Sequence, residues 1–166
     1  YKRQEITVED RKVTIVALER EKNENGNPAM AIELRDGTIV SGGTSELLGA
    51  ASSALINALK VLAGIDKEVK LIDPKAIDPI QDLKINYLGS KNPRLHTDEV
   101  LTALSATAAN NEIAMKAMKK LPLLKGCDAH STVLLSSVDE QIFKKLGIQL
   151  TCEPKYEEDE RMYHKN

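Results

Sequence analysis

The clearest alternation in the chain runs through Met30, Ile32 and Leu34, with Ala31 and Glu33 between them, a period of two that predicts a β-strand. Arg35-Asp36-Gly37-Thr38 follows with an Asp-Gly turn signal, and Ile39-Val40 resumes the apolar pattern, so the stretch predicts a β-hairpin. The period then lengthens. Leu47, Leu48, Ala51, Leu55, Ala58, Leu59 and Leu62 share one stripe of a helix opened by Gly42-Gly43-Thr44-Ser45, and Gly64 stands where a C-cap belongs. Residues 69–72 predict a strand, and Asp78 before Pro79 predicts the start of the next helix, with Asp as N-cap and Pro at the first helical position. Thr97 caps a further helix whose first turn carries Asp98 and Glu99. Asn110-Asn111 interrupts it, and a second helical run reaches about Lys120. Residues 121–130 are irregular, 132–135 predict a strand, and Ser137 with Glu140 forms a capping box. Gly147 ends that helix before a last strand at 148–151. Residues 13–22 are ambiguous, because Val13-Thr14-Ile15-Val16 favours a strand and 17–22 favours a helix. The order β-β-α-β-α-α-α-β-α-β predicts an α/β fold with helices on a mixed sheet.

Composition narrows the function. The 166 residues suit one domain, with 42% hydrophobic and 29% charged residues. The reading gives a charged peripheral segment at 1–12, one α/β domain at 13–154 and a solvated acidic tail at 155–166. A formal charge of −2 supplies no general drive toward nucleic acid or an anionic membrane. With no Trp, one Phe and four Tyr, the chain is poorly equipped for a base-stacking platform. No apolar run approaches the ~18 residues of a membrane helix. The opening Tyr1-Lys2-Arg3-Gln4-Glu5 carries no secretory pattern and reads as the interior of a longer cytoplasmic protein, in which Cys127 and Cys152 are reduced.

Candidate chemistry lies in three places. His130-Ser131-Thr132 follows a loop holding Cys127 and Asp128, so His130 can act as an acid or base beside two hydroxyls, or the three side chains can simply satisfy a loop backbone. Gly42-Gly43-Thr44-Ser45 has the form of an anion-binding helix start, against Thr44 or Ser45 as an ordinary cap, and lacks the Lys-Ser/Thr ending of a nucleotide phosphate loop. Lys91, Asn92 and Arg94 make a basic loop suited to a phosphate or carboxylate, or merely to solvent. Cys127 and His130 have Cys-x-x-His spacing, too few ligands for a zinc site unless Cys152 joins them, and no metal is assigned. His96 reads as a polar flank.

Three stretches together carry a resemblance: Gly89-Ser90-Lys91-Asn92-Pro93 with the Thr97-Asp98-Glu99-Val100-Leu101 helix start; residues 121–132 around Lys125-Gly126-Cys127-Asp128-Ala129-His130; and Lys145-Leu146-Gly147-Ile148 through Cys152-Glu153-Pro154. They resemble the C-terminal part of the bacterial domain of unknown function 1846 family. That resemblance implies a protein about three times longer, whose front part holds a Gly-rich, Lys-containing segment. It also implies a three-layer α/β/α sandwich with cytidine-deaminase-like topology. A zinc deaminase needs a His or Cys with a Glu on its first helix and Pro-Cys-x-x-Cys on the next. Here Ala50-Ala51-Ser52-Ser53-Ala54 and Pro79-Ile80-Gln81-Asp82-Leu83 stand in those places, so the zinc motif is missing. Nor does the chain contain the His-Glu-x-x-His of a zinc protease. The expectation is a domain of unknown reaction that helps to form a phosphate, nucleotide or small-ligand site with the rest of its own longer chain, through His130, Ser131, Thr132, Thr44, Ser45, Lys91 and Arg94. No cofactor belongs to this chain itself, although a nucleotide suits the full-length protein. The alternatives are a structural or homo-oligomerisation module and a metal-dependent hydrolase.

Overall fold

The computed structural model describes residues 11–156. The chain forms α1 (Lys12–Asn23), a hairpin of β1 (Ala29–Glu33) and β2 (Ile39–Gly43), then α2 (Ala50–Ala63). Next comes α3 (Pro74–Asp82), which runs into a π-helical turn at Leu83–Tyr87. It is followed by α4 (Thr97–Ala108), α5 (Glu112–Met118) and a 3-10 turn at Leu121–Leu124. The chain returns to the sheet as β3 (Asp128–Ser131), α6 (Ser137–Leu146) and β4 (Gln149–Cys152). The sheet is mixed, in the order β2-β1-β3-β4. β1 is antiparallel to both neighbours, with Met30 opposite Gly42 and Ser131, while β3 and β4 run parallel with His130 beside Thr151.

Both faces of the sheet are covered. Met30 and Ile32 point into the main core, with Leu55 and Leu59 of α2, Val100 and Leu104 of α4 and Phe143 of α6. Ala31 points the other way, against Val13 and Ala17 of α1. A strand covered on both sides needs a continuous apolar run, which Ala29-Met30-Ala31-Ile32 supplies. The ambiguous segment 13–22 is helical: Val13, Val16 and Ala17 fall on one face at helical spacing, and that packing overrides the β-branched propensity. Arg11 is half-buried at the start of α1 and donates to Thr151 Oγ1 at 2.7 Å. Most of the segment expected to be peripheral (1–10) and most of the acidic tail (157–166) lie outside the described residues.

Several expected elements shift. Residues 42–45 do not open a helix. Gly42 and Gly43 end β2, and α2 starts at Ala50 with Gly49 as its cap. A side chain at Gly42 would run into the backbone of Ala54, so this glycine lets α2 lie directly on β2. The expected strand at 69–72 is a bend. Leu71 and Ile72 join the main core without pairing, because an apolar run reports burial and not a ladder. The helix expected from Asp78-Pro79 begins a turn and a half earlier, where Asp73 accepts from Lys75 N at 2.9 Å and Pro74 takes the first helical position. Pro79 therefore sits inside α3. His96, not Thr97, is the N-cap of α4. The strand expected at 132–135 lies at Asp128–Ser131: the polar run from 128 enters the sheet because cross-strand partners satisfy it, down to Thr132 Oγ1 accepting from Ala29 N. Gly64 and Gly147 do end their helices, in the left-handed conformation.

Candidate functional site

A cleft of about 340 Å³ opens between the C-terminal end of α1, the end of β2, one flank of α2 and the segment leading into α3. Leu47, Leu48, Ile56, Leu71, Ile72 and Ile77 supply its apolar wall. Polar groups cluster on the α1 and α2 sides. Arg20 of α1 and Glu24, the residue that caps its C-terminal end, pair at 2.8 Å, and Arg20 also donates to Ser41 O and Oγ, each at 3.0 Å. The Glu24 carboxylate lies directly over Gly43, which has no side chain to exclude it. Asn57 of α2 donates to Ser41 O at 3.1 Å, and Lys60, one turn further on, donates to Lys67 O at 3.1 Å. Burial holds the Lys60 amine below its ordinary value, against the pull of Glu68 and Asp66. Lys70 lines the cleft and is exposed. Arg20, Lys60 and Lys70 stand beside an apolar wall, with Glu24 paired to Arg20 and with Asp66 and Glu68 acting on Lys60, so the cleft offers cations of mixed surroundings next to a non-polar surface.

A polar junction lies on the other side of the 44–49 loop. There a small cavity of about 40 Å³ is lined by the N-terminal turn of α2 together with Arg94, His96, Ser131, Ser136 and Asp139. Asp139 Oδ1 accepts from Thr97 N at 2.9 Å and Thr97 Oγ1 at 2.7 Å, so a carboxylate of α6 holds the start of α4. Its Oδ2 faces His96 Nδ1 at 3.6 Å. The Asp139 contact raises the His96 imidazole above its ordinary value, against the cost of burial. Burial alone would raise Asp139, but His96 and the two Thr97 donors outweigh it and hold the carboxyl low. Glu99 Oε1 accepts from His96 N and from Lys84 Nζ, each at 2.8 Å, and Lys84 also donates to Arg94 O. Arg94 Nε reaches across to Ser45 O at 2.7 Å and joins the junction to the cleft.

The seven candidates from the sequence divide. Thr44 and Ser45 line the cleft, where Thr44 Oγ1 donates to Pro28 O and Ser45 Oγ accepts from Leu47 and Leu48 N. Arg94 and Ser131 line the junction, Ser131 Oγ donating to Val133 O at 2.6 Å. Thr132 is buried against Ala29. Lys91 is exposed and lines neither cavity. His130 lies on the opposite face of the sheet, fully buried, with its ring nitrogens 2.7 Å from Thr151 Oγ1 and from Glu153 Oε2. Cys127 belongs to the main core, on the other face from His130, and no group of three His, Cys, Asp or Glu comes together among the described residues.

The family described as "Domain of unknown function DUF1846, C-terminal" matches residues 9–163. The chain belongs to that family. Among the relatives it resembles are proteins named UPF0371 protein in Corynebacterium glutamicum (57% identical over 151 residues, 91% of this chain) and Streptococcus sanguinis (55% over 160 residues, 96% of this chain). A third, UPF0371 protein stu1377 of Streptococcus thermophilus, is 52% identical over 160 residues. The matched region covers 30% of the first relative and 32% of the other two, so the chain spans about a third of the length of these relatives.

Sequence reading missed His96, Lys84 and Asp139. The acid three residues beyond His96 is a capping signal that marks the first of them. Nothing local marks Asp139, which meets Thr97 across 42 residues.

Proposed function

We propose that this region forms one wall of a binding site for a phosphorylated small molecule, such as a nucleotide, that the rest of the longer protein completes. The observation that carries the reading is the cleft beside α2, where Arg20, Lys60 and Lys70 stand around an apolar wall large enough for part of such a ligand. Thr44 and Ser45 are its hydroxyl groups from the original candidates, and Arg94 fixes the loop that carries Ser45. A deaminase-like scaffold is part of the same proposal. Its support is the order of hairpin, helix, strand and helix in β1-β2, α2, β3 and α6, with α3 to α5 inserted between α2 and β3. On that reading, the helix to compare with a deaminase's cysteine helix is α6, which is capped by Ser136 and starts Ser137-Val138-Asp139-Glu140, and not the Pro79 segment of α3. Neither helix offers a thiolate, so we assign no deaminase step to it. We place the protein in the cytoplasm, in keeping with its two free cysteines.

A thermal-shift series on the full-length protein, with nucleoside mono-, di- and triphosphates and sugar phosphates, tests the reading. A ligand at a hundredfold its Kd stabilises by about 2.7 kcal/mol, a rise of roughly 2–3 degrees in Tm for a chain three times this length. At least one phosphorylated compound is expected to give that rise, and the paired change Lys60→Ala, Lys70→Ala is expected to remove most of it. No rise with any of them, or a rise the paired variant keeps, would overturn the reading.

A further inference from the structure

In the π-helical turn after α3, the polar pattern is inverted. Lys84 is buried, with 6% of its surface exposed, whereas Leu83, Ile85, Tyr87 and Leu88 are 45%, 37%, 75% and 70% exposed. Four of the large apolar side chains that face solvent thus fall within six residues, and Leu83, Tyr87 and Leu88, four and five residues apart, form a strip on one side of the turn, with Ile85 on the other. The others among the described residues, such as Ile15, Val61 and Ile113, are scattered singly along the chain. The inversion is built in. Leu88 N donates to Leu83 O at 2.9 Å, which sets the wide π turn, and Ser90 N donates to Lys84 O at 2.8 Å. The Lys84 ammonium is held between Glu99 and the Arg94 carbonyl. Rotating the turn to hide Leu88 would strand that lysine and uncover the acceptors it satisfies. Left to solvent, the strip forgoes the gain of burying several large side chains.

We propose that this strip is the docking seat for the part of the same polypeptide that lies outside the DUF1846 C-terminal region. The relatives carry about two thirds of their length beyond the matched region. A covalently linked partner meets the strip at a high effective concentration, so a small apolar contact suffices. A second copy has no such advantage, and three side chains, one of them less than half exposed, fall short of the roughly 800 Å² per partner of a free-standing interface. The placement also suits the occupant. α3 sends Pro74 and Ile77 into the cleft and continues directly into the strip, and Gln81 ties it to Glu46 O at 3.2 Å and Pro93 O at 3.0 Å. A domain seated there stands beside the cleft mouth. The proposal does not rest on the ligand reading, because a cleft that binds nothing leaves the strip as it is.

Hydroxyl-radical footprinting of the full-length protein tests it, with each residue compared with its own rate in denaturant. The expected result is Tyr87 and Leu88 labelled about tenfold more slowly than when unfolded, at every protein concentration, with Leu88→Asp restoring Tyr87 labelling while the circular dichroism is unchanged. Labelling near the unfolded rate would overturn the proposal. Protection that fades on dilution would overturn it in favour of a second copy of the chain.

Discussion

His96 and Asp139 show how two side chains of modest exposure couple two helices to pH. Each shifts the other toward its charged form, with His96 raised and Asp139 lowered. A histidine whose folded value is raised lends stability that is complete below its ordinary value of 6.5 and is lost as the pH climbs through the higher folded value. Asp139 behaves oppositely: its contribution is present above the ordinary 3.8 and lost as the pH falls through its lower folded value. Both are therefore in force between those two ordinary values. We predict that urea midpoints of the wild-type chain fall relative to those of His96→Asn as the pH rises from 6 to 9. Parallel profiles for the two proteins would show that the pair does not titrate in this range. Lys84 belongs to the same network, and its burial makes Glu99 both a cap for His96 and a counter-charge.

Among the elements, the tightest seam is the one between α2 and β2. A methyl group at Gly42 would meet the backbone of Ala54 and Ser53, which cannot move without lifting α2 from the sheet. The atoms nearest a methyl at Gly43 belong to the far end of the Glu24 side chain, which can swing away. Gly42→Ala is expected to cost at least the 1–3 kcal/mol typical of overpacking, and Gly43→Ala clearly less. Chemical denaturation of the two variants checks the ranking, and equal losses would contradict it. The same seam shows where sequence reading stops. The hairpin, the core stripe of α2 and both glycine-ended helices were legible, because periodicity and turn chemistry are local. Gly42-Gly43 was misread as a helix start, since only the facing helix reveals why a side chain is forbidden there. His130 reads as a loop residue and Thr132 as the start of a strand, whereas β3 holds His130 and ends at Ser131, because polar groups at a strand entry are indistinguishable, in one dimension, from polar groups paired across a sheet. The cleft escaped notice for the same reason: Arg20, Lys60 and Lys70 are ordinary lysines and arginine until the fold gathers them.

For the molecule as a whole, the two layers on the sheet are unequal. Among the described residues, the main core draws on α2 to α6, whereas α1 rests on a cluster of Val13, Ala17 and Ala31 with Val16 and Ile39 partly buried beside it. Native-state hydrogen exchange is expected to show the amides of α1 opening at a lower free energy than those of α2, as a separate unit. A single common opening energy for both helices would mean that the polar ties of Arg11 and Arg20 weld the thin layer to the rest. The sheet's centre carries a different consequence. β1 and β3 are neighbours, yet the bond from Ala29 N to Thr132 spans 103 residues, with α2 to α5 between them. A ribosome adding about 5–20 residues per second takes some 5–20 s to bring that partner out. Throughout that wait the nascent hairpin presents the bare inner edge of β1, the point at which a growing chain of this family is most open to pairing with the wrong strand.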